Sequence, residues 1–236
     1  VSPLFSPGEN RLAYLRPAGR RVCEGEECAG EVQVVTVDLA SMEREILLPA
    51  GRWGLLAWSD TRLFVSDERD LSRVVSVRLD GDRVALDVAP SEFWGVSPDG
   101  SPLLQSRPGR VRFLEIADAG SGELEGGEAI QLGGVLAEGL WRRAPTEVLG
   151  VLLERRATRS TLVRLRPGWR APQAVEGSAG AVGGVLDAPD GRGFAFVRVA
   201  PSDPNRLQAT YCSRAGDCRP LFEWVRGVDL LGLDGG

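Results

Sequence analysis

The chain has 236 residues and an apolar fraction of 43%, enough for one large β domain or two small ones with a buried core. Its formal net charge of −5 does not suggest the basic surface that nucleic acid requires, so nucleic acid is not expected as a partner. All 28 basic residues are arginine and histidine is absent, which excludes Ser-His-Asp and Cys-His catalysis, histidine-ligated metals and lysine-based chemistry.

Short segments that alternate apolar and polar residues, rich in β-branched side chains, follow one another along the chain and predict strands rather than helices. No apolar run approaches the roughly 18 residues that a membrane span requires. The predicted strands cover residues 11–16, 31–39, 43–48, 62–66, 73–79, 83–88, 102–106, 111–116, 129–132, 148–154, 160–166, 174–176, 193–199, 206–211 and 220–223.

A turn rich in serine, proline, aspartate and glycine recurs about every 45 residues, the period of a four-stranded propeller blade. Such a sheet cannot bury both of its faces alone, so the repeats are expected to stack around an axis as a single domain. The turns lie at residues 5–10, 58–61, 96–100, 143–147 and 188–191, with a sixth at 233–236. The predicted blades are residues 1–52, 53–91, 92–137, 138–180 and 181–223, while residues 224–236 form a closing strand or begin a further blade.

The segment Val96-Ser97-Pro98-Asp99-Gly100, followed by an apolar strand, resembles the repeat of TolB-like, WD40-like β-propellers. The resemblance implies an all-β fold of the β-propeller kind, and the five complete repeats with a sixth beginning predict about five to six four-stranded blades. It also implies a role in protein docking in the periplasm. Residues 5–8 with 12–14 and residues 188–191 with 194–196 are similar to the repeat, whereas residues 58–60 lack its proline and residues 144–147 lack its glycine.

Four cysteines form two close pairs, each bracketing a polar loop between predicted strands. Facing positions at a hairpin neck can meet disulfide geometry, so the favoured pairing is Cys23–Cys28 and Cys212–Cys218 among three possible connectivities. The alternative is a zinc site with all four cysteines as ligands, although their spacing is looser than usual. Disulfides predict an oxidising compartment, either the periplasm or the extracellular space. The start at Val1 is expected of a processed mature form or of the ordered part of a longer product.

The candidate partner-binding residues are a tryptophan in a turn and a cluster of arginines in the fourth repeat, since aromatic residues and arginines are the usual interface hot spots. The arginines suit an acidic protein partner or a lipid headgroup, which would allow peripheral or lipid-anchored membrane association. Residues 67–70 offer carboxylates for calcium but lack the EF-hand pattern, and a solvated hairpin tip is the favoured interpretation. The candidates are Trp169, Arg142, Arg143, Arg155, Arg156 and Arg159.

No catalytic, cofactor-binding or metal-ligating residues are predicted. The leading hypothesis is therefore a non-enzymatic, periplasmic or extracellular scaffold subunit that binds a protein in a larger cell-envelope assembly. One alternative is the propeller domain of a prolyl-oligopeptidase-type peptidase whose hydrolase domain lies outside these residues. The other alternative is a propeller that binds a small ligand or a sugar.

Overall fold

All regular structure in the described residues is β-strand, and none of them forms an apolar helix of the length that a bilayer requires. The chain divides into two compact units, Val1–Ser106 with Arg112–Gly127, and Arg107–Val111 with Glu128–Gly236. The computed structural model describes residues 3–8, 10–19, 22–24, 27–67, 70–117, 122–143, 146–154, 160–188, 192–213 and 216–226.

The strands are short and follow one another closely, as expected of a chain rich in turn residues. In chain order they are β1 (Leu4–Phe5), β2 (Arg11–Pro17), β3 (Val22–Glu24), β4 (Glu27–Ala29), β5 (Val32–Asp38), β6 (Arg44–Gly51), β7 (Trp53–Trp58), β8 (Arg62–Asp67), β9 (Asp70–Arg78), β10 (Arg83–Leu86), β11 (Phe93–Val96), β12 (Leu103–Arg107), β13 (Arg110–Ile116), β14 (Leu124–Gly126), β15 (Ile130–Gln131), β16 (Gly134–Arg143), β17 (Thr146–Glu154), β18 (Ser160–Leu165), β19 (Gln173–Ala174), β20 (Ala181–Asp187), β21 (Gly193–Ala200), β22 (Asp203–Ser213), β23 (Cys218–Pro220) and β24 (Val225–Arg226).

These strands build five antiparallel sheets, each a meander in which sequence neighbours pair. The first sheet has the order β1-β2-β5-β6, with the small hairpin β3-β4 inserted between its two middle strands, and the second has the order β7-β8-β9-β10. The third is β11-β12-β13-β14 with β15 also on β13, the fourth is β16-β17-β18-β19, and the fifth is β20-β21-β22-β23 with β24 also on β22. Antiparallel neighbours need only short connections, which matches the closely spaced turns of the sequence.

The recurring turn motif joins the first strand of a sheet to the second. In the third sheet the Ser97 N–H donates to the Pro102 carbonyl at 2.9 Å, and the Gly100 N–H donates to the Ser97 carbonyl at 2.8 Å. Gly100 has a φ of 98°, which glycine adopts without steric cost. In the second sheet the Ser59 Oγ accepts the Arg62 N–H at 3.0 Å. The serine therefore closes the reversal between strands even where the proline and glycine are missing.

Apolar side chains of neighbouring sheets pack face to face within each unit. Full burial of one such side chain contributes about 1.5–3 kcal/mol, so these clusters dominate the stability of the sheets. One cluster joins the first and second sheets and a second joins the second and third, where the rings of Phe64 and Phe93 stack at 5.6 Å. The cluster between the fourth and fifth sheets consists of Leu149, Val151, Leu162, Val175, Ala181, Val185, Phe194, Phe196 and Cys212.

The cysteine pairs lie on paired strands. Cys212 and Cys218 are register partners on β22 and β23 and form a disulfide with an S–S distance of 2.04 Å, which confirms the predicted bond. The alternative of one zinc ion held by all four cysteines is therefore wrong, because a bonded sulfur is not a thiolate ligand. Cys23 and Cys28 are register partners on β3 and β4, but their side chains lie outside the described residues, so that bond stays a prediction.

The turn after β5 is closed by the carboxylate of Asp38. Its Oδ1 accepts the N–H groups of Ser41 and Ala40, each at 3.0 Å, and these bonds hold the pKa of Asp38 below the ordinary aspartate value. Because the folded-state pKa is lowered, the stabilisation is present at neutral pH and is lost as the pH falls through the folded-state pKa. We expect Asp38→Asn to be less stable than the wild type at neutral pH, with a difference that shrinks in acid.

Chemical denaturation of the two proteins at several pH values measures this difference. Asp87→Asn, in an exposed bend of the second sheet, serves as the control. Its free energy of unfolding should change with pH as that of the wild type does. A stability difference for Asp38→Asn that stays constant from neutral to acidic pH would contradict the prediction that the ionised carboxylate of Asp38 stabilises the fold.

Candidate partner-binding surface

A carboxylate is buried on the face of the fourth sheet that packs against the fifth. Glu147, near the start of β17, is 1% exposed and pairs in register with Arg142 near the end of β16, which is 3% exposed. Arg142 Nη1 donates to Glu147 Oε1 at 3.1 Å. The other carboxylate oxygen, Oε2, accepts from Arg166 through Nε at 2.9 Å and lies 2.8 Å from its Nη2. Glu147 is therefore held between two guanidinium groups.

The fifth sheet completes this cluster. Arg142 Nε lies 2.8 Å from Asp187 Oδ1 at the end of β20, so Arg142 bridges two sheets. The ring of Phe194 lies near two guanidinium groups, with centroid distances of 5.8 Å to Arg142 and 5.7 Å to Arg164. Cations near an aromatic face gain further electrostatic stabilisation. Arg142, Glu147, Arg166 and Asp187 are called the ion-pair network below.

The ion-pair network holds two positive and two negative groups. Removing such charges from water is costly, and the cost is offset only when each charge meets good partners. Arg142 and Glu147 meet this condition inside the protein. Arg142 was predicted as part of an exposed arginine patch, but its guanidinium is buried and occupied by Glu147 and Asp187. We therefore assign Arg142 to the packing of the two sheets.

Arginine and tryptophan side chains meet at the solvent-facing edge of the network. The Arg166 side chain is 35% exposed, and its guanidinium stacks on the ring of Trp169 at 5.0 Å, while the backbone N–H of Trp169 donates to the Arg166 carbonyl at 3.2 Å. Gly168, at φ 80°, makes the turn that brings the ring back over Arg166. Arg170 is 86% exposed and pairs at 3.3 Å with Glu128, an interaction that contributes little in solvent. Arg166, Trp169 and Arg170 are called the arginine–tryptophan rim.

Several predicted site residues lie outside the described residues. Arg155, Arg156 and Arg159 do so entirely, and Arg143 lies in β16 with a side chain that is not described. Their role in partner binding stays a prediction. Within the described part of the chain, no group of three or more His, Cys, Asp or Glu side chains could hold a metal ion.

Sequence reasoning missed Glu147, Asp187 and Arg166. A usable signal was present, because each is a charged residue at the end of a predominantly apolar strand. A charge in that position is expected to be paired when the strand faces another sheet. Glu147 pairs with residues 5 and 19 positions away, but Asp187 reaches Arg142 from a strand 45 residues further along the chain, and local pattern cannot predict that pair.

The first sheet carries a polar cleft of about 480 Å³ that is open to solvent. Its charges are mixed, and Asp38 is already engaged in the turn after β5 and lies 4.0 Å from the Arg11 Nε. The cleft therefore presents no concentrated charge of one sign. Its lining residues are Arg11, Thr36, Asp38, Glu43, Arg44 and Glu45.

No protein family profile matches the chain, and no curated protein sequence matches it either. Among solved structures, it is similar to the β-propeller domain of the Trilobed protease from Pyrococcus furiosus, at 12% identity and a TM-score of 0.62, over 98% of this chain and 71% of that domain. It is also similar to an oligogalacturonate lyase in complex with manganese, at 13% identity and a TM-score of 0.60, over 92% of this chain and 63% of the lyase.

A third similar structure is a putative dipeptidyl aminopeptidase IV from Bacteroides ovatus, at 14% identity and a TM-score of 0.54, over 96% of this chain and 40% of that protein. The chain thus spans less than two thirds of the lyase and of the aminopeptidase. At this level of identity the likeness shows the fold alone. The fold is a β-propeller built of four-stranded blades, which confirms the predicted fold class.

Proposed function

We propose that this chain is a non-catalytic propeller module that binds a protein partner through the arginine–tryptophan rim. The observation that carries the proposal is that the Arg166 guanidinium stacks on the ring of Trp169 and is also ion-paired with the buried carboxylate of Glu147. Arginine and tryptophan dominate the binding energy of protein interfaces. An arginine fixed in this way loses less side-chain entropy when a partner binds. Its outward N–H groups, with those of Arg170, suit a partner that presents carboxylates.

The proposed location is the periplasm or the extracellular space, within an envelope assembly. The Cys212–Cys218 disulfide supports it, because such bonds persist in oxidising compartments. The sequence has no histidine or lysine, and the commonest nucleophilic catalytic sites need one or the other, which supports a non-catalytic role. A TolB-like identity is part of the proposal and is supported by the Ser-Pro-Asp-Gly turn of the third sheet.

A second candidate function is that of a propeller domain attached to a peptidase. Two similar structures favour it, since one is a domain of a protease and the other is a putative dipeptidyl aminopeptidase IV. The chain covers 40% of the aminopeptidase, which leaves room there for a separate catalytic domain. An α/β-hydrolase segment in the same gene would favour this candidate over the scaffold role.

We expect Trp169→Ala to reduce binding of the native partner roughly 30-fold or more, because loss of a central aromatic anchor costs about 2 kcal/mol or more. Arg170→Ala should weaken it to a smaller extent. The partner is identified by cross-linking in native envelopes followed by mass spectrometry, and its affinity is then measured with purified proteins. Arg83→Ala, an exposed arginine of β10, is the matched control and should bind like the wild type.

Circular dichroism of each variant checks that the fold is retained. Recovery of the same proteins in the same amounts with the wild type, Trp169→Ala and Arg170→Ala would show that the rim is not the binding surface.

A further inference from the structure

A third guanidinium group faces the packing between the fourth and fifth sheets. Arg164 stands near the end of β18, two residues before Arg166, and its guanidinium lies 5.7 Å from the centre of the Phe194 ring. Its Nε atom is buried and has no hydrogen-bond partner. No carboxylate of the described residues forms an ion pair with it either. Arg164 is therefore a partly buried cation that no acidic group in the described part of the chain neutralises.

The charges gathered around Phe194 do not balance. The ion-pair network contributes two guanidinium groups and two carboxylates, and Arg164 adds a third guanidinium. A cation that is partly removed from water without an acidic partner is unfavourable. An anion bound to it therefore gains more than it would at a fully solvated arginine. The surplus of one positive charge suits a group with a single negative charge.

A second hydrogen-bond donor lies beside Arg164. Gln173 on β19 is its register partner, and such partners share one face of the sheet with their Cβ atoms about 4.5–5.5 Å apart. The Gln173 side chain is exposed, and its amide has no hydrogen-bond partner among the described residues. β19 is the last strand in the order of the fourth sheet. A guanidinium and an amide in this arrangement can donate to the two oxygens of one carboxylate.

We infer that Arg164 and Gln173 bind one carboxylate, which belongs to an aspartate or glutamate side chain of the protein partner. The site deepens the proposed function and rests on it for the source of the carboxylate. Arg166 of the rim already uses Nε and Nη2 for Glu147, whereas Arg164 has no such engagement. A carboxylate fits better than a phosphate monoester, whose charge of about −1.5 to −2 exceeds the surplus.

NMR signals of the arginine Nε–H groups test the site in the purified chain without the partner. The probe is N-acetylglutamate α-amide, which carries one side-chain carboxylate. We expect a saturable shift of the Arg164 signal, which is identified by its loss in Arg164→Lys. Gln173→Ala should weaken binding roughly three- to tenfold, the effect of one hydrogen bond. The signal of Arg83, an exposed arginine of β10, and titration with uncharged N-acetylglutamine amide are the controls and should show no saturable shift.

Arg164→Met separates binding from packing, because methionine keeps an apolar side chain over Phe194 and removes the charge. We expect a Tm equal to or above that of the wild type, since the lost charge had no acidic partner. Affinity for the native partner, measured with purified proteins, should fall at least about tenfold, the effect of a hydrogen bond to a charged group. Arg83→Met is the matched control and should bind like the wild type.

Four results would overturn the inference. A shift at Arg164 that is absent or does not saturate means that no carboxylate site exists, and tighter binding of inorganic phosphate means that the ligand class is wrong. A clear fall in Tm for Arg164→Met assigns the residue to sheet packing. Unchanged partner affinity in Arg164→Met while Trp169→Ala still lowers it means that the partner uses the rim alone, so the proposed function stands. Unchanged affinity in both variants means that the proposed function fails as well.

Discussion

Glu147→Ala is expected to lower the free energy of unfolding by about 3–5 kcal/mol, because the buried charge of Arg142 loses its buried partner and keeps only Asp187, whose side chain is 36% exposed. The side chains of Glu147 and Arg142 are 1% and 3% exposed, so water cannot replace the lost carboxylate. Domains of this size are stable by only about 5–15 kcal/mol, so the loss is a large share of the total. Urea denaturation followed by tryptophan fluorescence measures it.

Two further variants show whether the effect comes from the buried pair. Glu154→Ala removes an exposed carboxylate at the other end of β17 and should change stability by no more than about 0.5 kcal/mol. Replacing Arg142 and Glu147 together by methionine should recover most of the stability, because both buried charges are then removed. A loss below about 1 kcal/mol for Glu147→Ala would contradict the importance given to the network.

Phe194→Ala is expected to cost about 3–5 kcal/mol of unfolding free energy. Its ring is 0% exposed in the cluster between the fourth and fifth sheets, and truncation leaves a cavity there. The ring also lies within 6 Å of the Arg142 and Arg164 guanidinium groups, so its removal takes away a favourable contact for both cations. Urea denaturation at fixed ionic strength provides the measurement.

Phe194→Leu keeps most of the volume but not the aromatic face, and should cost less than the alanine variant. Phe222→Ala, where the side chain is 37% exposed, serves as the matched surface control and should cost well under half as much. If the two alanine variants were equally stable, the packing of the fourth sheet on the fifth would not depend on Phe194.

The second and third strands of the sheets were predictable because many of their residues alternate between apolar and polar, as in β13, where buried and exposed positions largely alternate. The first strands β7, β11, β16 and β20 were not predicted. Their residues alternate poorly, and β20 contains Gly183 and Gly184, which lower strand propensity. β16 begins at Gly134, where a Cβ would come within 1.9 Å of the Leu153 carbonyl, so a close backbone contact selects this glycine. Such a contact cannot be predicted from the local pattern of apolar and polar residues.

The sequence by itself determined the fold class, the Cys212–Cys218 bond and the turns that join first and second strands. These features follow from residues close together in the chain, whose preferences act over a few positions. Tertiary structure alone decided which arginines are buried. Arg142 meets Asp187 and Phe194 from a sheet some 45 residues further along, while Arg166 stays at the surface beside Trp169. The physical reason is that burial of a charge depends on the side chains of the opposing sheet, and their positions are settled only when the sheets pack.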